Sequence, residues 1–173
     1  MKSKNIRKLF LNFFEANKHK IVDSSSVVIN NDPTLMFTNA GMNQFKNYFL
    51  SIDKPKFLRV ANSQKCIRVS GKHNDLDEVG YDTYHHTMFE MLGNWSFGDY
   101  SKQMAIGLAW DFLTKECKLD KDRIYVSVFE GDKDDGTEVD KESLKFWQDL
   151  LPKAQIVFGS KKDKVSSNFF TTI

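Results

Sequence analysis

One stretch of the sequence, residues 59–100, concentrates side chains that could do chemistry. It interleaves the cations Arg68 and Lys72 and the histidines His85 and His86 with aromatic residues and methionines. A packed structural segment normally separates its apolar face from its polar face, so this mixture is typical of a ligand pocket. An arginine offers a planar fork to phosphate oxygens and a lysine a compact charge, so the pair would neutralise a polyphosphate. By residue type alone, a nucleotide site competes here with two commoner uses, surface ion pairs and core histidines.

Other familiar site types do not fit the pattern. The P-loop motif GxxxxGK[ST] is absent from the sequence, so a P-loop is not the phosphate-binding device. The neighbours His85 and His86 do not make a metal site, because adjacent strand residues point to opposite faces. Glu90 would accept hydrogen bonds from a substrate amine or help to hold a metal ion. Cys66 and Cys117 lack zinc-site spacing and are expected to be reduced, with Cys66 an inert thiol.

A β-hairpin is predicted to position these side chains. The pattern indicates a strand that ends near Arg68, a turn at residues 70–71 and a polar loop to about Asp82. A return strand from about Thr83 to Met91 would complete a long antiparallel hairpin. Arg68 and the two histidines would then face each other across its base.

The flanking sequence alternates between helical and strand patterns. Helices are predicted where apolar residues recur every three to four positions, and strands where β-branched residues cluster or alternate with polar ones. The order of these elements favours a mixed α/β or α+β fold. The predicted helices cover residues 6–14, 101–113 and 144–151, and the predicted strands cover residues 21–29, 124–129 and 155–158.

Composition restricts the classes of protein that remain. The 173 residues suffice for one core, or one domain with an appendage. Lys and Arg number 25 against 23 Asp and Glu, a net charge of +2, so any nucleic-acid contact must come from a local patch. No apolar run approaches the ~18 residues that cross a bilayer, and no secretory segment precedes the first helix. We therefore expect a cytoplasmic protein without membrane contact.

Three stretches of the sequence are specific enough to indicate a family. They are NDPTLMFTNAGMNQFK at residues 31–46, KCIRVSGKHNDLDEVG at residues 65–80 and HHTMFEMLGNWSFGDY at residues 85–100. They closely resemble the N-terminal part of the catalytic domain of alanyl-tRNA synthetases, a family of class II aminoacyl-tRNA synthetases. With shorter matches the likeness extends from about Ile6 to Asp163. It implies an α+β fold, an antiparallel sheet flanked by helices, incomplete at the C-terminal side.

The resemblance also implies a reaction. In the family, the carboxylate of alanine attacks the α-phosphate of ATP to give alanyl-adenylate and pyrophosphate, and alanine then passes to the 3′ end of alanine tRNA. Residues from about 6 to 33 resemble motif 1, and residues from about 59 to 100 resemble motif 2. Mg²⁺ is expected with the ATP phosphates, since a hard cation offsets their charge. No residue of this chain is predicted to ligate a metal.

The resemblance assigns roles residue by residue. Arg68 matches the motif 2 arginine that contacts the α-phosphate, and Lys72 matches the loop lysine linked with adenylate formation. His86, or His85, matches the histidine that contacts ATP. Phe89 is similar to the phenylalanine against which adenine stacks. The residues that correspond to the meeting point of the nucleotide and alanine pockets are Met88, Glu90 and Met91, and a characteristic family loop is matched by Asn39, Gly41, Met42 and Asn43.

The end of the sequence departs from the family pattern. After residues 161–163 the family continues with asparagine, phenylalanine and tryptophan, whereas this chain reads KVSSNFF. Phe170 either stands where the family has its ATP-site tryptophan, or that position is lost. Motif 3 and the tRNA-recognition, editing and C-terminal regions have no counterpart here.

These departures leave two alternatives. The chain is either a piece of an alanyl-tRNA synthetase or a noncatalytic nucleotide- or tRNA-binding remnant. An uncovered sheet edge would favour homo-oligomers or other association under both alternatives. For the chain alone we expect weak ATP binding and little adenylate formation.

Overall fold

A computed structural model describes residues 2–29, 35–69 and 77–160 of the chain. The chain divides into two compact units, Met1–Asp99 and Tyr100–Ile173. Helices and strands occur in both units, which confirms the predicted mixture of α and β structure. None of the helices in the described ranges is long and apolar enough to cross a membrane. The helices are α1 (Ser3–Ala16), α2 (Lys46–Phe49), α3 (Lys102–Asp111) and α4 (Lys141–Gln148), and the strands are β1 (Lys20–Ile21), β2 (Arg59–Ile67), β3 (Met88–Ser96), β4 (Val126–Phe129) and β5 (Ile156–Gly159).

The first helix, α1, forms where the sequence predicts it. Its apolar residues recur on one side, and Phe10 and Phe14 are buried. Asn17 caps the C-terminal end of the helix, and its side chain donates a 2.8 Å hydrogen bond to the carbonyl oxygen of Phe13. Lys18 follows in the left-handed conformation with φ 65°, a common way to close a helix. His19, which is buried, follows directly before β1.

The first unit contains a three-stranded sheet in the order β1-β2-β3. Strands β2 and β3 form the predicted antiparallel hairpin, with a register that runs from Arg59 opposite Ser96 to Ile67 opposite Met88. Strand β1 pairs with β2 in parallel. The predicted strand at residues 21–29 is reduced to β1 and one bridge between Val28 and Phe37.

The second unit is built around two parallel strands and two helices. Strands β4 and β5 pair in parallel over four residues each. Helix α3 continues through one π-helical turn, Phe112–Glu116. Ser101 is the residue that precedes α3, although its side chain makes no capping hydrogen bond. Trp110 and Trp147 meet edge to face, with ring centroids 6.4 Å apart. The buried core of this unit consists of Ile106, Trp110, Val128, Trp147, Leu151 and Ile156.

Candidate functional site

The β2-β3 hairpin has two faces, and the candidate site residues divide between them. Residues directly opposite each other in an antiparallel pair lie on the same face, and successive residues alternate. One face, which we call the loop face, is covered by the segment from Asn39 to Phe49. It carries Asn62, Gln64 and Cys66 from β2 and Phe89, Met91, Gly93 and Trp95 from β3. The other face, the helix face, carries Ser63 and Glu90.

Arg68 lies at the end of β2, on the edge of the loop face. Its backbone N–H donates to the carbonyl oxygen of Thr87, which extends the hairpin by one pair. Its side-chain Nε donates a 3.1 Å hydrogen bond to the carbonyl oxygen of Asn39. The guanidinium carbon lies 5.0 Å from the ring centroid of Phe89, within cation–π range. Among the described residues no carboxylate pairs with this guanidinium.

A buried glutamine holds two loops against β2. Gln64 is completely buried. Its Oε1 accepts hydrogen bonds from the backbone N–H of Ser25 at 2.9 Å and from Nε2 of Gln44 at 2.9 Å. Its own amide donates to the carbonyl oxygens of Ser25 and Lys65. These bonds order the covering segment that also presents Asn39 to Arg68.

Small residues let Trp95 lie flat within the loop face. A Cβ atom at Gly93 would stand 2.6 Å from the Trp95 ring, and one at Gly41 would stand 3.2 Å from it. The backbone N–H of Gly41 donates to the Met91 sulfur at 3.1 Å. The Trp95 indole donates to Oδ1 of Asn62 at 3.2 Å. Met91 is therefore fixed beside the covering loop, on the same face as Phe89.

Glu90 and Met88 belong to the helix face, away from Arg68 and Met91. The Glu90 carboxylate accepts hydrogen bonds from Arg7 of α1 at 2.6 Å and from the Ser63 hydroxyl at 3.2 Å. The hydrogen bond from Arg7 is the largest cause of a lowered pKa for Glu90, and the positive charge of Arg7 lowers that pKa further. Burial acts in the opposite direction. Met88 is 51% exposed at the start of β3. Glu90 is thus ionised and engaged in attaching α1 to the sheet.

The two histidines lie in the turn that precedes β3. The backbone N–H of His85 donates to Oδ1 of Asp82 at 2.8 Å, and the His85 imidazole contacts the other carboxylate oxygen. These bonds, with the one from the Tyr84 N–H, lower the pKa of Asp82 to about 2. His86 is exposed. Asp82 therefore stays ionised and orients His85 from outside the strand.

Some predicted residues lie outside the described part of the chain. Lys72 and Phe170 are in this group. Within the described ranges, no cluster of three or more His, Cys, Asp or Glu side chains could hold a metal ion. The structure thus brings together Arg68, Phe89 and Met91, with Asn39 as an anchor. Gln64 was not predicted, although the polar residues at alternate positions of β2 were a signal of an inward polar face, and Trp95 was predicted only as one of the interleaved aromatic residues, without a role.

The arrangement on the loop face suits a ligand that combines a ring with a phosphate. The ring of Phe89 offers a partly exposed aromatic surface, and Arg68 supplies a fixed positive charge beside it. A planar base would pack on such a ring, while the guanidinium would bind phosphate oxygens. Met91 adds an adaptable apolar wall.

Comparison with known proteins gives the class to which the chain belongs. The family model described as tRNA synthetases class II (A) matches residues 5–170. This match covers nearly the whole chain. The chain therefore belongs to the class II tRNA synthetase family.

Three similar curated proteins are all alanine–tRNA ligases. The chain is 59% identical over 163 residues to the alanine–tRNA ligase of Cytophaga hutchinsonii, covering 94% of this chain and 19% of that protein. It is 57% identical over 163 residues to the alanine–tRNA ligase of Flavobacterium psychrophilum, with 94% and 18% covered. The corresponding ligase of Bacteroides fragilis is 58% identical over 161 residues, with 93% and 18% covered. The chain spans less than a fifth of the length of these curated relatives.

Proposed function

We propose that the chain forms the part of an alanine–tRNA ligase that binds ATP and activates L-alanine. The observation that carries the proposal is the pairing of Arg68 with Phe89 beside the Asn39 loop. The identity to alanine–tRNA ligases over almost all of this chain supports the choice of amino acid. The activated alanine would then pass to the 3′ end of alanine tRNA.

The proposed chemistry is an in-line displacement at the α-phosphorus of ATP. A carboxylate oxygen of alanine forms the new bond to phosphorus, and the bond to the bridging oxygen of the β-phosphate breaks. Pyrophosphate leaves with the electron pair of that bond. Negative charge accumulates on the α-phosphate oxygens in the transition state, where the anchored guanidinium of Arg68 would stabilise it. Adenine would lie against Phe89, with Met91 beside it.

The remaining predicted residues complete the proposal. Lys72 would assist adenylate formation, His85 or His86 would contact ATP, and Phe170 would line the ATP site. Met88 and Glu90 would act at the edge of the alanine pocket. Both residues lie on the helix face, so we propose that they act indirectly, through the contact between Glu90 and Arg7.

Mg²⁺ and the wider architecture are also proposals. Mg²⁺ would be held by the ATP phosphates, whose charge it would neutralise. Family membership supports the expectation that the strands belong to a larger antiparallel sheet flanked by helices. It also supports motif 1 at about residues 6–33, motif 2 at about 59–100 and a cytoplasmic site of action.

The test measures ATP binding and alanine-dependent exchange of labelled pyrophosphate into ATP by the same preparation. Arg68→Ala is expected to weaken ATP binding and to reduce any exchange by about 10²–10³-fold, as for loss of a preorganised charge. Arg123→Ala removes an exposed arginine from the second unit and serves as the control. ATP binding that is equally strong in Arg68→Ala and the native chain would overturn the proposed site. Binding without exchange would mean that the chemistry, if any, needs the rest of an alanine–tRNA ligase.

A further inference from the structure

A basic hollow lies at the end of the sheet that is remote from Arg68. It has a volume of about 440 Å³ and is lined by Lys18, Lys20, Lys56, Phe57, Arg59 and Asp99. We call it the lysine hollow. Strand β2 begins at Arg59 and ends just before Arg68, so at ~3.3 Å per residue the two arginines are about 30 Å apart. The lysine hollow is therefore distinct from the proposed ATP site.

The charge of the lysine hollow is strongly positive. Lys18, Lys20 and Lys56 are exposed, and none of them has a carboxylate partner among the described residues. Asp99, the acidic member of the lining, already pairs with Arg59, whose Nη2 lies 3.2 Å from Oδ1 of Asp99. The Arg59–Asp99 pair is neutral as a unit, so the three lysines determine the local potential.

One aromatic ring contacts two of these lysines. The Lys20 ammonium lies 5.8 Å from the ring centroid of Phe57, and the Lys56 ammonium lies 5.7 Å from it. Each contact is worth only about 0.5–1 kcal/mol at an exposed site. An anion beside the Phe57 ring would be attracted by both ammonium groups.

The backbone around the lysine hollow is ordered by the sheet. Lys20 belongs to β1 and is paired with Val60 of β2. The carbonyl oxygen of Leu58 accepts a 2.8 Å hydrogen bond from the N–H of Phe97. Lys20 and Arg59 are thus placed by strand pairing, whereas Lys18 lies in the turn after α1 and Lys56 lies in the segment before β2.

We propose that the lysine hollow binds the phosphodiester backbone of a single-stranded nucleic acid. Lysines are point charges that position a backbone without reading sequence. The hollow is open and receives its cations from two chain segments, which suits a linear polyanion better than one enclosed phosphate. Phe57 is 39% exposed and offers a stacking surface to an unpaired base. The inference goes beyond the proposed ATP site and does not depend on it.

The test is fluorescence anisotropy with a labelled oligouridylate of about 12 nucleotides, a length within the range of single-strand binding sites. The combined variant Lys18→Gln, Lys20→Gln, Lys56→Gln is expected to bind at least about tenfold more weakly. Between about 50 and 200 mM salt, loss of three phosphate contacts should reduce the slope of log K against log salt by about 2. Phe57→Leu keeps an apolar side chain but loses the ring, and should weaken binding about fivefold or more.

A matched control removes the same charge elsewhere. Lys118, Lys145 and Lys153 are exposed lysines of the second unit, and their combined change to Gln should leave affinity within about twofold if binding is local. Equal losses in the two triple variants, or an unchanged salt slope in the first, would overturn the proposal. Arg68→Ala should retain oligonucleotide binding while it weakens ATP binding, so the two proposals fail separately. Circular dichroism of each variant checks that it is folded.

Discussion

Cys66 illustrates how burial and a neighbouring cation compete for control of one side chain. The thiol lies on the loop face opposite Phe89 and two residues from Arg68. A nearby guanidinium lowers the pKa of a thiol, which would make it reactive. Here complete burial dominates and raises the pKa of Cys66 to about 11, although the charge of Arg68 lowers it in part. Cys66 is therefore a small packing residue under the candidate site.

This competition predicts the reactivity of both thiols. Cys117 is only half-buried, and its pKa is also raised, first by burial and then by Glu116. At pH 8 a thiol reagent such as dithionitrobenzoate should modify Cys117 slowly and leave Cys66 intact until the chain is unfolded. The control is Cys117→Ser, which should show no reaction in the native state. Rapid modification of native Cys117→Ser would contradict the burial of Cys66.

Gln64 carries a second prediction, for stability. Gln64→Leu keeps the volume but leaves the Ser25 N–H, the Ser25 hydroxyl and the Gln44 amide without their shared acceptor. Each unsatisfied buried group costs about 1–3 kcal/mol, so the free energy of unfolding should fall by about 2–4 kcal/mol. Urea denaturation measures it. Gln148→Leu, at an exposed position, should change stability by less than about 0.5 kcal/mol, and equal effects would contradict the network.

At the residue scale, the sequence predicts individual candidate side chains better than it predicts contacts between residues that are distant in sequence. Arg68 is a candidate by residue type, and the resemblance to the family's motif 2 gives Arg68 and Phe89 their predicted roles. Asn39 was noted only as part of a loop, because its contact with Arg68 is made by a backbone carbonyl that any residue would supply. The contacts of Gln64 and Trp95 were not predicted because their partners lie far away in sequence, on segments whose approach depends on the whole unit.

At the scale of elements, the turn after β4 depends on one glycine. Gly131 has φ 88°, and a Cβ atom there would stand 2.7 Å from the carbonyl oxygen of Thr137. Gly136 also has a positive φ, but a Cβ atom there would meet nothing within 4 Å. We expect Gly131→Ala to destabilise the chain by more than about 2 kcal/mol, since steric overlap with the backbone adds to the conformational cost.

The matched variant for this turn is Gly136→Ala. This variant places a side chain at a positive φ without steric overlap, and it should destabilise the chain by about 1–2 kcal/mol. Thermal unfolding of both variants measures the difference. A loss in Gly136→Ala as large as that in Gly131→Ala would mean that φ alone, and not the approach of Thr137, determines the need for glycine.

The start of α4 predicts a pH dependence. Asp140 caps the helix by accepting from the Ser143 N–H at 3.1 Å, and its carboxylate also binds the Lys102 ammonium at 2.7 Å. Burial alone would raise the pKa of Asp140, but the bonds from Lys102 and Ser143 outweigh it and the pKa is lowered. The ionised form is thus favoured by folding, and its contribution is present at neutral pH and lost as pH falls below about 4.

Two substitutions test this helix cap. Asp140→Ala should lower the free energy of unfolding by about 1–2 kcal/mol at pH 7. Asp140→Asn keeps an acceptor for the Ser143 N–H, loses the ion pair with Lys102, and should cost less. Urea unfolding at pH 7 and pH 3 should show that the advantage of the native chain over Asp140→Asn is smaller at the lower pH. An advantage that is the same at both values would contradict the assignment.

The elements themselves could be predicted wherever one local pattern dominates. The three longer helices lie close to where the sequence predicts them, although α3 buries the consecutive residues Leu108, Ala109 and Trp110 in place of a single apolar face, and the β2-β3 hairpin is also predicted. Strand β3 begins at Met88 instead of Thr83. The Asp82 side chain accepts hydrogen bonds from the backbone N–H groups of Tyr84 and His85, which forms a turn there. Residues 24 and 25 leave the predicted strand for a similar reason, since Ser24 and the Ser25 backbone bond to β2 through side chains.

At the scale of the whole molecule, chemistry and charge are distributed unevenly. The candidate ATP site and the lysine hollow both belong to the unit Met1–Asp99, at opposite ends of β2. The unit Tyr100–Ile173 has its own tryptophan-rich core and contributes none of the described residues of either site. The net charge of +2 gives no sign of the lysine hollow, because acidic residues elsewhere in the chain balance its lysines.

This distribution predicts where ATP protects the chain against hydrogen exchange. A ligand that binds the native state stabilises it by RT ln(1 + [L]/Kd), about 1.4 kcal/mol at ten times Kd. Local opening of the segments that hold the ligand is suppressed first. With ATP and Mg²⁺, we expect slower exchange in β2, β3 and the loop from Asn39 to Gln44, and unchanged exchange in α4 and β5.

Arg68→Ala separates site binding from general stabilisation in this experiment. The variant should lose the protection of β2 and β3 at the same ATP concentration, because the charge that binds the phosphates is gone. The charge-matched control Arg123→Ala should keep it. Protection that persists in Arg68→Ala, or that appears only in α4 and β5, would place the nucleotide elsewhere. Since exchange is read segment by segment, the result locates ATP even if the chain forms no adenylate.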